Sequence, residues 1–277
     1  MSDKMRIFFG SITMYAITMA LSLAAAWQHV IRPSLSGGIG PLELTLQTGV
    51  IFLVVFALFT TVMVRFAGVA RLLLSFFLLV ALVAGAQFIL SAWMPWPFDI
   101  FGAVLIAALL WVLPRVVIHD IAIVLGIGGL AAVLGLSMTP LVACVLLAAL
   151  SVYDIVSVYR TRHMVVLAGR MLQSGAVFGF LVPARLSGFF MRRTDAIESR
   201  AVMMLGSGDI GLPLVLATSA VSQSLAAAGI VALASLIGVS SMHWLFVHQE
   251  HPAPMAALPP IAVSAILGYL LAILLGV

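Results

Sequence analysis

Only nine of the 277 residues are acidic: Asp3, Glu43, Asp99, Asp120, Asp154, Asp195, Glu198, Asp209 and Glu250. Asp3, Glu43, Asp195, Glu198 and Glu250 fall in expected loops or tails, and Asp99 and Asp120 lie near expected helix ends, where a carboxylate reaches headgroups or water. Asp154 and Asp209 remain, each inside a run of apolar residues. A charge at that depth in a bilayer costs about 2.5 kcal/mol or more, so an intramembrane carboxylate is a functional hypothesis by default. Two carboxylates sharing a site hold one proton between them at working pH. Such a pair can hydrolyse an amide: one carboxylate takes a proton from an attacking water while the other donates a hydrogen bond to the carbonyl oxygen. That chemistry needs no metal, cofactor or covalent intermediate. The same residues could instead form a structural hydrogen-bonded pair, or a proton or ion relay.

The elements that position the pair belong to a membrane protein. The chain is 64% hydrophobic and 8% charged, with a mean hydropathy of +1.27, whereas a soluble domain carries about 25% charged residues. Although the net charge is +4, the basic residues stand singly between apolar runs, which sets topology and excludes nucleic acid as a partner. Cys144 is the only cysteine and reads as a small hydrophobe. The first apolar run, residues 7–30, outlasts the roughly 7 to 15 apolar residues of a signal peptide and is expected to stay as a helix.

Apolar runs fall at 7–31, 44–66, 71–93, 97–113, 117–137, 139–160, 201–222, 225–247 and 254–276, separated by Pro33, the Gly37-Gly38-Ile39-Gly40 segment, Pro95, Pro97, Pro114, Pro140, Pro252 and Pro254. A span needs about 20 helical residues, so the reading is an all-α, multi-pass integral membrane protein of nine transmembrane helices in the cell membrane. With alternate loops assigned to one side, that side collects twelve of the thirteen basic residues, all but Arg32. The N-terminus is therefore expected in the cytoplasm and the C-terminus outside. Three parts follow: a six-helix bundle at 1–160 carrying Asp154, a basic cytoplasmic connection at 161–200, and a three-helix part at 201–277 carrying Asp209.

Asp154 lies six residues before Arg160, roughly 9 Å of helix, and Asp209 nine residues beyond Arg200 on the next run, which runs the other way. The two are thus at similar heights and could face each other. Around Asp209, Gly206, Gly208 and Gly211 would let helices approach closely, and Pro213 removes the donor to the Asp209 carbonyl, opening the helix one turn on. Ser151, Tyr153 and Ser157 add hydroxyls near Asp154. Within the connection, residues 176–182 (AVFGFLV) have the content of a strand. They read either as an interfacial segment anchored by arginines or as an edge that pairs with an incoming peptide.

Tyr153-Asp154 resembles the YD motif, and Gly206-Ser207-Gly208-Asp209 the GxGD motif, of the presenilin and signal-peptide-peptidase family. The family's Pro-Ala-Leu motif is matched by Ala256-Ala257-Leu258, followed by Pro259 and Pro260, and departs from it at its first position. The resemblance implies a nine-helix intramembrane aspartyl protease with Asp154 and Asp209 as the catalytic dyad. It also implies that Ala256, Ala257, Leu258 and Pro259 shape the active site and contact substrate, and that the connection helps to engage it. The partners implied are transmembrane helices of substrate proteins and the lipid bilayer, with a homo-oligomer left open. The chain is short and lacks a long polar insertion in the connection, which is similar to a compact archaeal-type homologue. Its presenilin-like orientation points to substrates with the N-terminus outside and the C-terminus inside.

An ion or solute transporter using the two aspartates is the main rival, since broken helices also build ion sites; no duplicated half is visible. A retinal pigment would need a late lysine, but the only lysine is Lys4. A zinc protease would need histidines spaced as in HExxH, which none of the six has. A serine protease could be assembled from Ser207 and His243, but His243 stands near no acid in sequence and reads as a hydrogen-bonded bundle histidine.

Overall fold

The computed structural model describes residues 3–32, 67–160, 179–199, 202–247 and 255–277. The expected run at 44–66 and the whole 161–178 stretch, with the first part of the expected strand at 176–182, lie outside the described residues. Five described helices are long and apolar enough to cross a bilayer: Met5–Ile31, Val116–Leu136, Pro140–Arg160, Leu225–Leu245 and Leu258–Leu275. In chain order the elements are α1 (Asp3–Ile31), α2 (Ala67–Ser91), α3 (Phe98–Val112), α4 (Val116–Leu136), α5 (Pro140–Ile155), β1 (Gly179–Pro183), α6 (Arg193–Glu198), β2 (Val202–Gly206), α7 (Ser207–Ala220), α8 (Leu225–Val247) and α9 (Leu258–Leu275).

Local chemistry sets several of the ends. Pro140 opens α5 where its missing N–H would go unused, and the Thr139 hydroxyl caps the helix by accepting the Val142 N–H at 3.4 Å. Gly276 closes α9 in the left-handed conformation, with φ of 71°. Helix α4 is the hub of the bundle, packed by α1, α2, α3 and α7 and buried at twelve of its 21 positions. Its crossing with α2 is backbone on backbone: a Cβ at Gly129 would collide with the Gly85 carbonyl. In lipid, where apolar side chains gain little by leaving one apolar phase for another, such small-residue contacts are what hold helices together. Outward-facing apolar side chains, among them Leu267, Leu271 and Leu274 of α9, remain exposed for lipid.

The structure departs from the all-α expectation at one place. Residues 202–206, expected as the start of a helix, form β2, which pairs antiparallel with β1 from Gly179↔Gly206 to Pro183↔Val202. The sequence Val-Met-Met-Leu is apolar throughout, so it carries no periodicity to separate strand from helix. The strand content noted at 176–182 is realised in β1, which is buried along its whole length, with Phe180, Leu181 and Val182 at 0% exposure. Position 179 requires glycine, because a Cβ there would drive into the Leu205 carbonyl oxygen. Beyond β1, a short 3-10 turn, Leu186–Phe190, exposes Leu186 and Phe190 between Arg185 and Arg192, the composition of an interfacial anchor.

Candidate active site

Asp154 is the penultimate residue of α5, and the helix continues beyond it as a π turn, Val156–Arg160. Such turns mark functional positions in many helices. Its Oδ2 accepts the Leu258 N–H at 3.3 Å. Leu258 begins α9, and the next two residues are prolines, so among the first three positions of that helix only Leu258 carries a backbone donor. The positive end of the α9 dipole is thereby delivered to Asp154 through one N–H.

Asp209 lies in the first turn of α7, not two turns into a helix as the apolar run suggests, because residues 202–206 are strand. Gly206 is the N-cap, and its N–H donates back to the Asp209 carboxylate in the manner of a capping box. The Asp154 and Asp209 carboxylates act electrostatically on each other across the contact of α5 with α7. Both are partly exposed rather than sealed. Buried Tyr15 of α1 faces Ser235 of α8 and lies within electrostatic reach of Asp209. Sequence reasoning passed over both, since a lone tyrosine in an apolar run carries no signal.

Of the three glycines, Gly211 lies where α7 approaches α4, and Gly206 and Gly208 face other surroundings. A Cβ on Gly206 would meet only the Asp209 carboxylate, one on Gly211 would meet Ile127 of α4, and one on Gly208 would meet nothing within 4 Å. Gly208 therefore leaves open space next to Asp209. A cavity of about 250 Å³, apolar and lined by Leu82, Ile127, Leu130, Ser207, Gly208 and Gly211, begins there. Pro213 is buried within α7 and leaves the Asp209 carbonyl without its helical donor. Tyr153 is 54% exposed, and the Ser157 hydroxyl donates to the Asp154 carbonyl at 3.0 Å. Ala256 is buried and Ala257 is the N-cap of α9. His243 is buried against Phe8, with ring centroids 4.9 Å apart, and neither of its nitrogens is hydrogen-bonded among the described residues, contrary to the expected bonded histidine.

Asp99 and Asp120 also depart from expectation. Neither reaches solvent: Asp99 faces Gln87 and Asp120 is 2% exposed. Asp120 and its neighbour His119 hold β1 instead. The signal available was an adjacent His-Asp at the start of an apolar run, and proximity to a helix end was the wrong reason to discount it. Nearby, at the start of α6, burial pulls the Arg193 guanidinium below the usual arginine value. Among the described residues no cluster of histidine, cysteine and carboxylate side chains could hold a metal.

The family model for signal-peptide peptidase and presenilin aspartyl protease matches residues 43–277. The chain belongs to this family. It is an intramembrane aspartic endopeptidase, cutting peptide bonds within transmembrane segments. Two solved structures have the same fold. A presenilin family intramembrane aspartate protease in a C222 crystal is 24% identical with a TM-score of 0.67, covering 97% of this chain and 99% of that one. The same kind of protein in a P2 crystal is 27% identical with a TM-score of 0.64, covering 96% and 97%. No curated protein matches the chain. The transporter reading gains no support from these matches.

Proposed function

We propose that Asp154 and Asp209 are the catalytic dyad of this protease. The observation that carries the reading is the arrangement of donors: the Leu258 N–H on Asp154 and the Gly206 N–H on Asp209 orient two carboxylates that act on each other from facing helices. The pair shares one proton, and a water between the two carboxyl groups attacks the substrate carbonyl. The ionised carboxylate takes the water's proton and the protonated one donates to the carbonyl oxygen. Gly208 leaves room for the substrate backbone, and the cavity beside it takes an apolar substrate side chain. Tyr153, Ser207 and Pro213 support the site from the same turns, and Ala256, Ala257, Leu258 and Pro259 border the substrate.

A helix hides its carbonyls in its own ladder, so the substrate must be extended at the cut. An edge for it is available. The Gly179 carbonyl and Leu181 N–H of β1 are taken by α4 side chains, so the ladder with β2 runs through Phe180 and Val182, opposite Leu205 and Met203. Among the described residues no strand covers the outer edge of β2, at Val202 and Met204, which can receive a third strand directly before Asp209. The incoming peptide thus pairs with β2 rather than with the 176–182 edge itself.

Nine spans with a cytoplasmic N-terminus remain our reading of the topology. Gly10 of α1 meets Val182 of β1, and β1 meets the start of α4, so α1 and α4 begin at the same end, which calls for an odd number of crossings between them. The sequence reading, with apolar runs at 44–66, 71–93 and 97–113 between them, has that parity. Exposed Trp96 and Trp111 flank the 15-residue α3 as interfacial anchors. Seven arginines between residues 160 and 200 support a cytoplasmic connection; our reading keeps the organisation into 1–160, 161–200 and 201–277 and substrates with the N-terminus outside. The dyad comes from one chain and requires no second copy.

The test is cleavage of a tagged single-span substrate in detergent. Asp154→Ala and Asp209→Ala should each lower the rate by about 10²- to 10⁴-fold, as expected for loss of a general acid or base. Normal cleavage by either variant would remove the dyad, and ion flux by an inert wild type would restore the transporter.

A further inference from the structure

The His119–Asp120 pair, on the first turns of α4, stands apart from the dyad. Both side chains are buried, at 4% and 2% exposure. The His119 Nε2–H donates to the Gly179 carbonyl at 3.0 Å, and Asp120 Oδ1 accepts the Leu181 N–H at 2.9 Å. Asp120 Oδ2 has no hydrogen-bond partner among the described residues. Burying a carboxyl costs free energy, and these two residues direct both of their interactions to one strand.

The spacing makes the contact specific. The two backbone groups lie on the same edge of β1, two residues apart, which is the repeat of a strand. A slide of β1 by one residue would turn both groups to the other edge. A slide of two residues that moved Pro183 opposite Asp120 would present a nitrogen without a proton. On its other edge β1 is paired to β2 through Phe180 and Val182, and at Gly179 any other residue would strike the Leu205 carbonyl. The hairpin therefore moves as a unit, and the α4 pair determines where that unit sits. The strand β2 leads without a break into Gly206 and Asp209, while Asp154 stands on a separate helix.

We propose that His119 and Asp120 form a register clasp that fixes the β1–β2 hairpin against the helix bundle and thereby selects which substrate peptide bond meets the dyad. They are positioning residues: neither touches the reacting atoms. The clasp rests on the protease reading, with β2 as the docking edge.

Two measurements on the full-length protein in detergent test it. The first maps the cleaved bonds of a single-span substrate by mass spectrometry for wild type, Asp120→Asn, Asp120→Leu and Asp154→Ala. Asparagine keeps the oxygen acceptor and should cut at the wild-type bond; leucine, similar in size without an acceptor, should spread products onto neighbouring bonds, raising their share severalfold. The second follows the hairpin without activity. In a Cys144→Ser background, Gly10→Cys and Val182→Cys should crosslink, since a Cβ on Gly10 would lie 2.8 Å from Val182 Cγ1. Asp120→Leu should lower that crosslinking severalfold and Asp120→Asn should not. Wild-type bonds and wild-type crosslinking in a folded Asp120→Leu protein overturn the clasp. If Asp120→Leu does not fold, His119→Leu, which removes only the donor to Gly179, is read in the same two ways. An inactive wild type, or cleavage by Asp154→Ala, instead defeats the protease dyad, and the crosslinking arm still decides the clasp.

Discussion

At the scale of single residues, the Leu258 N–H is the contact most open to test, because proline can delete it without adding charge or volume. Proline is tolerated at the start of a helix, so Leu258→Pro should fold, whereas a hydrogen bond to a charged group contributes about 1.5–3 kcal/mol. Cleavage by Leu258→Pro should fall about tenfold to a hundredfold, the rate equivalent of that energy, while Leu258→Ala, which keeps the N–H, should fall less. Equal rates for the two would show that the donor is dispensable. Gly208→Ala tests the open space beside the dyad. Nothing within 4 Å opposes the added methyl, so the thermal midpoint should hold or rise, as for glycine replaced in a helix, while KM increases. Asp154 and Asp209 were legible as candidates because a carboxylate inside an apolar run is costly in a bilayer. The partners of each carboxylate were not, since backbone donors look the same at every position in a sequence.

At the scale of elements, the β1–β2 hairpin separates structure from docking. Gly179→Ala drives a methyl into the Leu205 carbonyl and should lower both the thermal midpoint and activity. Met204→Pro removes an N–H from the outer edge of β2 and leaves the ladder with β1 intact, as edge prolines do. It should raise KM with little loss of stability, whereas Met203→Pro, which breaks the ladder, should do both. If Met204→Pro cleaves with an unchanged KM, substrate does not pair there. The helix boundaries at Thr139-Pro140 and Gly276 were readable from capping chemistry. The switch from strand to helix at Ser207 was not, because an all-apolar run has no period, and the glycines that follow suit a turn, a cap or a close crossing equally well.

At the scale of the whole molecule, topology predicts accessibility. In a Cys144→Ser background, Val277→Cys should react with a membrane-impermeant thiol reagent on intact cells, and Arg185→Cys only after permeabilisation; the reverse pattern would invert the protein and its substrate orientation. Composition, the spacing of apolar runs and the placement of arginines follow from bilayer physics acting residue by residue, so the sequence by itself determined a multi-pass membrane protein and singled out the two carboxylates that we propose as the dyad. The motif resemblance then pointed to the family that the comparisons bear out. What only the tertiary structure decided are the contacts between residues far apart in the chain: Leu258 on Asp154, the fold of 202–206 into a strand against 179–183, and Asp120 turned inward to hold Leu181. Burial depends on which surfaces meet, and a carboxylate at a helix end can face water or a strand with the same neighbours in sequence. Asp120 looked solvated for that reason, and only the packing of β1 onto α4 shows it to be buried.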